Sequence, residues 1–255
     1  MRVWDVHPGY LDRQNLLGEH NEIHGLLTII LEGRRGYARH PETLRWRAHL
    51  PALRCRHDVV AAEMRLRGYQ HRSPAGEYDA ASLNWPAEFI DPPARQFLLL
   101  AERYARRGSP GGRIPLPQSA QGLWAQHKYS VLARSPEAYQ DIGRRAANMR
   151  SADEFEALAL ELTHWLRRPP APGRLINALQ HMWGYVSPFA EGPAPARPAE
   201  LLRRIQSLAQ LHGITYLLSS TALSDLACWV DSGAVSTKDS TAVKGNYDAY
   251  PHARD

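Results

Sequence analysis

The sequence predicts an all-α protein: two helical units joined by a Gly/Pro-rich linker and followed by a disordered C-terminal tail. Three observations lead there. Apolar residues recur at helical spacing along most of the 255 residues, strand-like alternation is nearly absent, and Gly/Pro-rich stretches separate the helical runs. A hydrophobic content of 44% supplies a sizeable core. The expected division is 1–107 for the first unit, 118–230 for the second and 231–255 for the tail.

Leu16, Ile23, Leu27 and Ile30 share one stripe, so 12–32 reads as the first helix. "GRRGYARHPETLRW" (33–46) begins as a loop, and Pro41 suits the start of a new helical turn. From Pro51 to Arg67, Leu53, Val60 and Met64 form a stripe with Arg54, Arg65 and Arg67 assigned to the outer face, and Gly68 stops the helix. Residues 70–92 read as an irregular crossing and 93–108 as another helix. "GSPGGRIPLPQ" (108–118) is the linker. Beyond it, helices are expected over Ser119–Ala133, Pro136–Met149, the run opened by the capping box "SADE" (151–154), Arg174–Val186, Pro198–His212 and 214–230. The tail has little to bury.

Composition narrows the function classes. No run of about 18 apolar residues occurs, so no membrane partner is expected. The N-terminus lacks a basic-then-apolar leader pattern, and Cys55 and Cys228 show no metal or redox spacing and read as buried thiols. A cytoplasmic, nucleoid-associated location is expected. Residues 34–72 carry ten arginines against Glu42, Asp58 and Glu63. Such a one-sided cluster of planar guanidinium forks suits phosphate oxygens and points to a polyanion surface.

"LLGEHNEIHG" (16–25) carries the chemistry-bearing side chains of the first helix. Gly18 and Gly25 stand at i−4 and i+3 from Glu22, on its face of the helix. Each costs a helix about 1 kcal/mol relative to alanine. Two readings stand: a bare surface that a ligand backbone approaches closely, or close helix–helix packing on small residues. His20 and His24, at i,i+4, could face one ion, but the order is not H-E-x-x-H and no third ligand is evident from spacing. No metal or other cofactor is therefore expected, and His20 reads as a core histidine.

The stretches "MRVWDVHP", "LLGEHNEIHG", "GYARHPETLRW" and "AAEMRLRGYQHRSP" together resemble the pyrimidine-dimer DNA glycosylase family, the phage endonuclease V and its bacterial relatives, over about 1–105. The resemblance implies a DNA glycosylase with AP lyase activity on damaged bases in double-stranded DNA. It implies that the α-amine of Met1 is the nucleophile, Glu22 the carboxylate that stabilises the reacting sugar, and Arg2 and Arg103 DNA contacts. Asn21 and Gly25 replace arginines of the phage enzyme, so Asn21, Arg34, Arg35 and Arg39 are the remaining contacts expected. Methionine aminopeptidase requires a small second residue, and Arg2 is bulky, so Met1 is expected to stay. An α-amine ordinarily titrates near about 7.7–8.0, which leaves a neutral, nucleophilic fraction near neutrality where a lysine leaves little. The alternatives are a non-catalytic nucleic-acid-binding protein and a metal-dependent hydrolase built on His20 and His24.

"LWAQHKYSVLARSPEAYQDIG" (123–143) and "NALQHMWGYV" (177–186) resemble the YbgA-like domain of unknown function over about 118–225. That resemblance implies a nucleic-acid-handling role, with Lys128, Tyr129, Gln180, His181 and Tyr185 as candidate contacts. The competing reading places them in interhelical packing.

Overall fold

The computed structural model describes residues 1–230, and the tail expected at 231–255 lies outside the described residues. All regular structure in the described residues is helical. α1 spans Arg13–Glu32; Asp12 caps its first turn by accepting from the Asn15 N–H, and Gly33 closes it at φ +63°. Then follow α2 (Pro41–Trp46), α3 (Leu50–Leu66) and α4 (Pro93–Arg107), three helices that each begin on proline at the first or second position. The second half holds α5 (Ala120–Leu132), α6 (Pro136–Ala146), α7 (Ala152–Leu166), α8 (Pro172–Val186) and α9 (Pro198–Leu211). The capping box read at the start of α7 is formed by Ser151 and Glu154.

The expected last helix over 214–230 is broken. It becomes α10 (Thr215–Leu218), α11 (Ala222–Asp225) and a 3-10 turn at Leu226–Cys228. The physical reason is a competition for backbone groups. Arg113 takes the carbonyls of Leu218 and Ser220, and Thr221 donates both its N–H and its hydroxyl to the Gln126 carbonyl.

The segment 108–118 does not act as a free spacer. Ile114 is fully buried and donates its N–H to the Gly9 carbonyl, and a Cβ on Gly112 would meet the Tyr10 backbone at 2.4 Å. Arg113 reaches Glu63 of α3 with Nη2 at 2.7 Å, where Arg67 also binds and Ser224 donates at 2.6 Å. Burial alone would raise the Glu63 carboxyl, but Arg113 and Arg67 outweigh it and hold it down at about 2.

Both hydrophobic cores mix the two halves. One joins Val3, Trp4, Leu16, Ile23, Leu53 and Leu100 to Leu123, Leu158 and Leu162. The other gathers α8, α9 and the C-terminal turns around Cys55 and Leu66 of α3. α3 therefore serves as a common wall, and the two helical units expected from the sequence fold against each other over a shared interior. Cys55 and Cys228 are free thiols, Cys55 buried and Cys228 partly so.

Candidate functional site

The first residues of the chain have no regular secondary structure, so their N–H groups need partners from elsewhere. Side chains of three helices supply them: Glu42 of α2 accepts from Val3 at 3.0 Å, Glu19 of α1 from Trp4 at 3.1 Å, and Gln96 of α4 from Asp5 at 2.8 Å. Asp5 is in turn held by Arg45 and, from beyond α7, by Arg167 at 2.7 Å. Burial raises the Glu19 and Glu42 carboxyls, opposed by Arg56 at the first and Arg45 at the second. The segment is thus pinned on every side.

This pinning sets the chain terminus over α1. The Met1 side chain is 7% exposed, with the Thr43 hydroxyl directed at its sulfur, and its α-amine lies 3.7 Å from Glu22 Oε1. Glu22 itself is 40% exposed. Amine and carboxylate share an open cleft of about 450 Å³, lined also by Arg2, Gly18, Arg103 and Arg107. A Cβ built on Gly18 or Gly25 meets nothing within 4 Å, so the glycines expose the helix surface rather than seat a second helix. A nucleophilic amine, a carboxylate beside it and guanidinium groups around both can attack an electrophilic carbon, move a proton and hold a phosphodiester.

Residues 1–76 match the family model of pyrimidine dimer DNA glycosylase. Residues 128–223 match a second family, described as a protein of unknown function (DUF1722), the YbgA-like domain of the sequence analysis. No curated protein and no solved structure matches the chain. The glycosylase match contains Met1 and Glu22 but stops short of Arg103, which reaches the cleft because α4 packs alongside it.

In the first half of the chain the expected DNA contacts fall into three groups. Arg2 and Arg103 flank Trp4, with their guanidinium carbons 4.2 Å and 5.1 Å from its ring; Arg2 also pairs with Asp91 at 2.7 Å. Burial and the like charges of Arg2, Arg107 and Arg106 lower the Arg103 guanidinium. Asn21 is exposed on α1, while Arg34, Arg35 and Arg39 are exposed beyond its C-terminal end. From Glu22 to Glu32 the helix advances about 15 Å, so these arginines sit apart from the cleft. The third group is a correction to the arginine cluster and to the outward assignment of Arg67. Arg45, Arg56 and Arg67 turn inward to Asp5, Glu19 and Glu63, because those carboxylates are buried and need a guanidinium. Sequence spacing missed Arg106 and Arg107, which extend the basic face of α4 beside the cleft. No described helix is long and apolar enough to cross a membrane.

In the second half, Lys128 lies over the rings of Tyr129 and Tyr216 at 5.0 Å and 4.9 Å, and Tyr185 stacks on Tyr216 at 5.0 Å. Tyr129 is buried within this cluster; Gln180, His181 and Tyr185 are exposed on α8. Tyr216 comes to them from α10. The family matched here carries no assigned function.

On the opposite flank of α1 the fold assembles what the sequence could not. His20 and His24 meet His57 of α3 and His71 of the following segment, one ring nitrogen from each lying within 4.8 Å of all the others. Burial, then neighbouring imidazoles, lowers His20 to about 4, and His24 and His71 shift the same way. His20 is thus no isolated core histidine. His57 and His71 carry no spacing signal, since they lie 33 or more residues along the chain from His24.

Proposed function

We propose that the chain is a DNA glycosylase with AP lyase activity, acting on damaged bases such as pyrimidine dimers in double-stranded DNA. The observation that carries this reading is the Met1 α-amine 3.7 Å from Glu22 within an arginine-lined cleft. The family match over 1–76 supports the substrate class.

In this reading the damaged nucleotide leaves the stack and presents its sugar to the cleft. The neutral amine of Met1 attacks C1′; the N–C1′ bond forms as the C1′–base bond breaks and the base departs with the electron pair. Glu22 offsets the positive charge that builds on the sugar, takes a proton from the amine and passes it to O4′ as the C1′–O4′ bond breaks, which opens the sugar ring to the imine. The imine acidifies C2′, and loss of that proton expels the 3′ phosphate by β-elimination. Arg2, Arg103, Arg106 and Arg107 supply the phosphate grip next to the reacting sugar, and Arg34, Arg35 and Arg39 extend it along the duplex. None of these steps uses the second half directly. Its contribution is support, through Arg167 on Asp5 and Gln126 on the Tyr10 hydroxyl at 2.7 Å.

Borohydride trapping on DNA with an abasic site tests the proposal. A covalent protein–DNA adduct is expected from the chain with a free Met1 amine and none from a chain extended at that end. An adduct formed equally well by both excludes Met1 as the nucleophile. DNA affinity is also expected to fall steeply between about 50 and about 200 mM salt, and a flat profile removes the arginines as the footprint.

A further inference from the structure

The four histidines on the far flank of α1 are not used by the proposed chemistry. Glu22 lies two residues from both His20 and His24, roughly 160° around the helix from them. The rings pack as a closed cluster, with centroids 4.7 Å apart for His20–His24, 4.9 Å for His24–His57, 5.0 Å for His57–His71 and 5.0 Å for His20–His71. Apolar packing does not account for their nitrogens. Nε2 of His57, on a side chain with no exposure, and the buried Nε2 of His24 have no hydrogen-bond partner among the described residues. Nε2 of His20 and Nε2 of His71 face each other at 3.0 Å. Buried imidazole nitrogens are rarely left unpaired, and their convergence on a common point calls for a group that accepts several lone pairs at once.

The orientation of His57 adds an independent sign. Its Nδ1 is 3.0 Å from Asp58 Oδ1, which fixes the proton on Nδ1 and leaves the Nε2 lone pair pointing into the cluster. A carboxylate behind a ligating histidine is the usual outer partner of a metal-bound imidazole. Four nitrogen donors with Zn–N bonds of about 2.0–2.1 Å would stand about 3.3 Å apart in a tetrahedron. The present separations, from 3.0 Å up to 4.8 Å, bracket that value.

We propose that His20, His24, His57 and His71 together bind one divalent first-row transition metal ion, fastening the segment after α3 to α1 and α3. Imidazole donors select this class of ion over magnesium or calcium, which prefer oxygen. Because the chain supplies four ligands, the site is closed and its role is structural. The ion would brace the same helix whose other flank carries Glu22.

The test uses the full chain with a C-terminal affinity tag free of histidine, stripped with chelator and titrated with Zn²⁺ or Co²⁺ in the absence of DNA. One ion per chain by elemental analysis, a rise in Tm with Zn²⁺ and the intense visible bands of tetrahedral Co²⁺ are expected. His71→Gln, on a partly exposed segment outside the helices, should abolish stoichiometric binding while the helical circular dichroism is kept. Asp58→Asn should weaken binding by about 10- to 100-fold. The proposal is overturned if the folded wild-type chain takes up neither ion stoichiometrically and shows only the weak spectrum of hydrated Co²⁺. Unchanged affinity in His71→Gln overturns it equally. Borohydride trapping reads the Met1–Glu22 proposal separately, so either can fail alone.

Discussion

On one flank of α1, Gly18, Glu22 and Gly25 face open space; on the other, His20 and His24 are covered by His57 and His71, and Glu19, one turn before Glu22, is buried against Arg56. Glu19 and Glu22 are the same residue type, three positions apart, and differ only in what the tertiary structure lays over them. Glu19 accepts from both Nε and Nη2 of Arg56, at 2.8 Å and 2.9 Å, and from the Trp4 N–H. Glu22 is left half-exposed beside an amine. The two carboxylates thus differ in desolvation: Glu19 braces the N-terminal segment, and Glu22 stays open to solvent beside the chain terminus.

The largest effect expected from breaking this contrast lies on the open flank. Glu22→Gln keeps the shape and removes the charge, so turnover on damaged DNA should fall by about 10²-fold or more, with binding of that DNA retained. Single-turnover kinetics beside a binding titration checks this; unaltered turnover would show that Glu22 is a bystander.

The buried flank should respond in stability instead. Glu19→Gln leaves Arg56 buried without its carboxylate, and a loss of about 3–5 kcal/mol in urea unfolding is expected. A change within the error of the measurement would mean that Arg56 finds other partners.

Acid should also act on the buried groups. Burial holds His7 below the usual histidine range and His127 at about 4, so the unfolded chain binds their protons first as pH falls. Stability is therefore expected to decline from about pH 6.5 toward 4. Glu63, held at about 2, contributes stability above its unfolded value near 4.5 that is lost as pH falls through about 2. Denaturant midpoints that stay level from pH 7 to pH 4 would contradict this burial.

The smallest effect separates the two flanks most sharply. Gly18→Ala adds a methyl group where nothing lies within 4 Å, so the helix should gain up to about 1 kcal/mol. The same methyl group narrows the cleft beside Glu22, and cleavage should slow even as Tm rises. Gains in both would mean that DNA does not approach that surface.

Much of the architecture was legible in the sequence because it rests on local physics. Apolar spacing, the Ser151–Glu154 capping box and the prolines that open α2 and α4 act within a few residues of themselves, and the structure keeps those helices to within a turn. The stretch 214–230 was not legible, since Arg113 and Gln126 claim its backbone and hydroxyl groups from about a hundred residues away.

The candidate site divides in the same way. Sequence alone placed most of the helices, the glycines that flank Glu22 and, through the resemblance over the first residues, the expected pairing of that glutamate with Met1; that those glycines face open space was decided by the fold. Only the tertiary structure decided that Arg45, Arg56 and Arg67 face inward, that Arg107 joins the cleft and that His57 and His71 complete a four-histidine cluster. The reason is physical: helix periodicity assigns a side chain to a face, but what covers that face is set by long-range packing, and burial then fixes whether a charged or titratable group must find a partner.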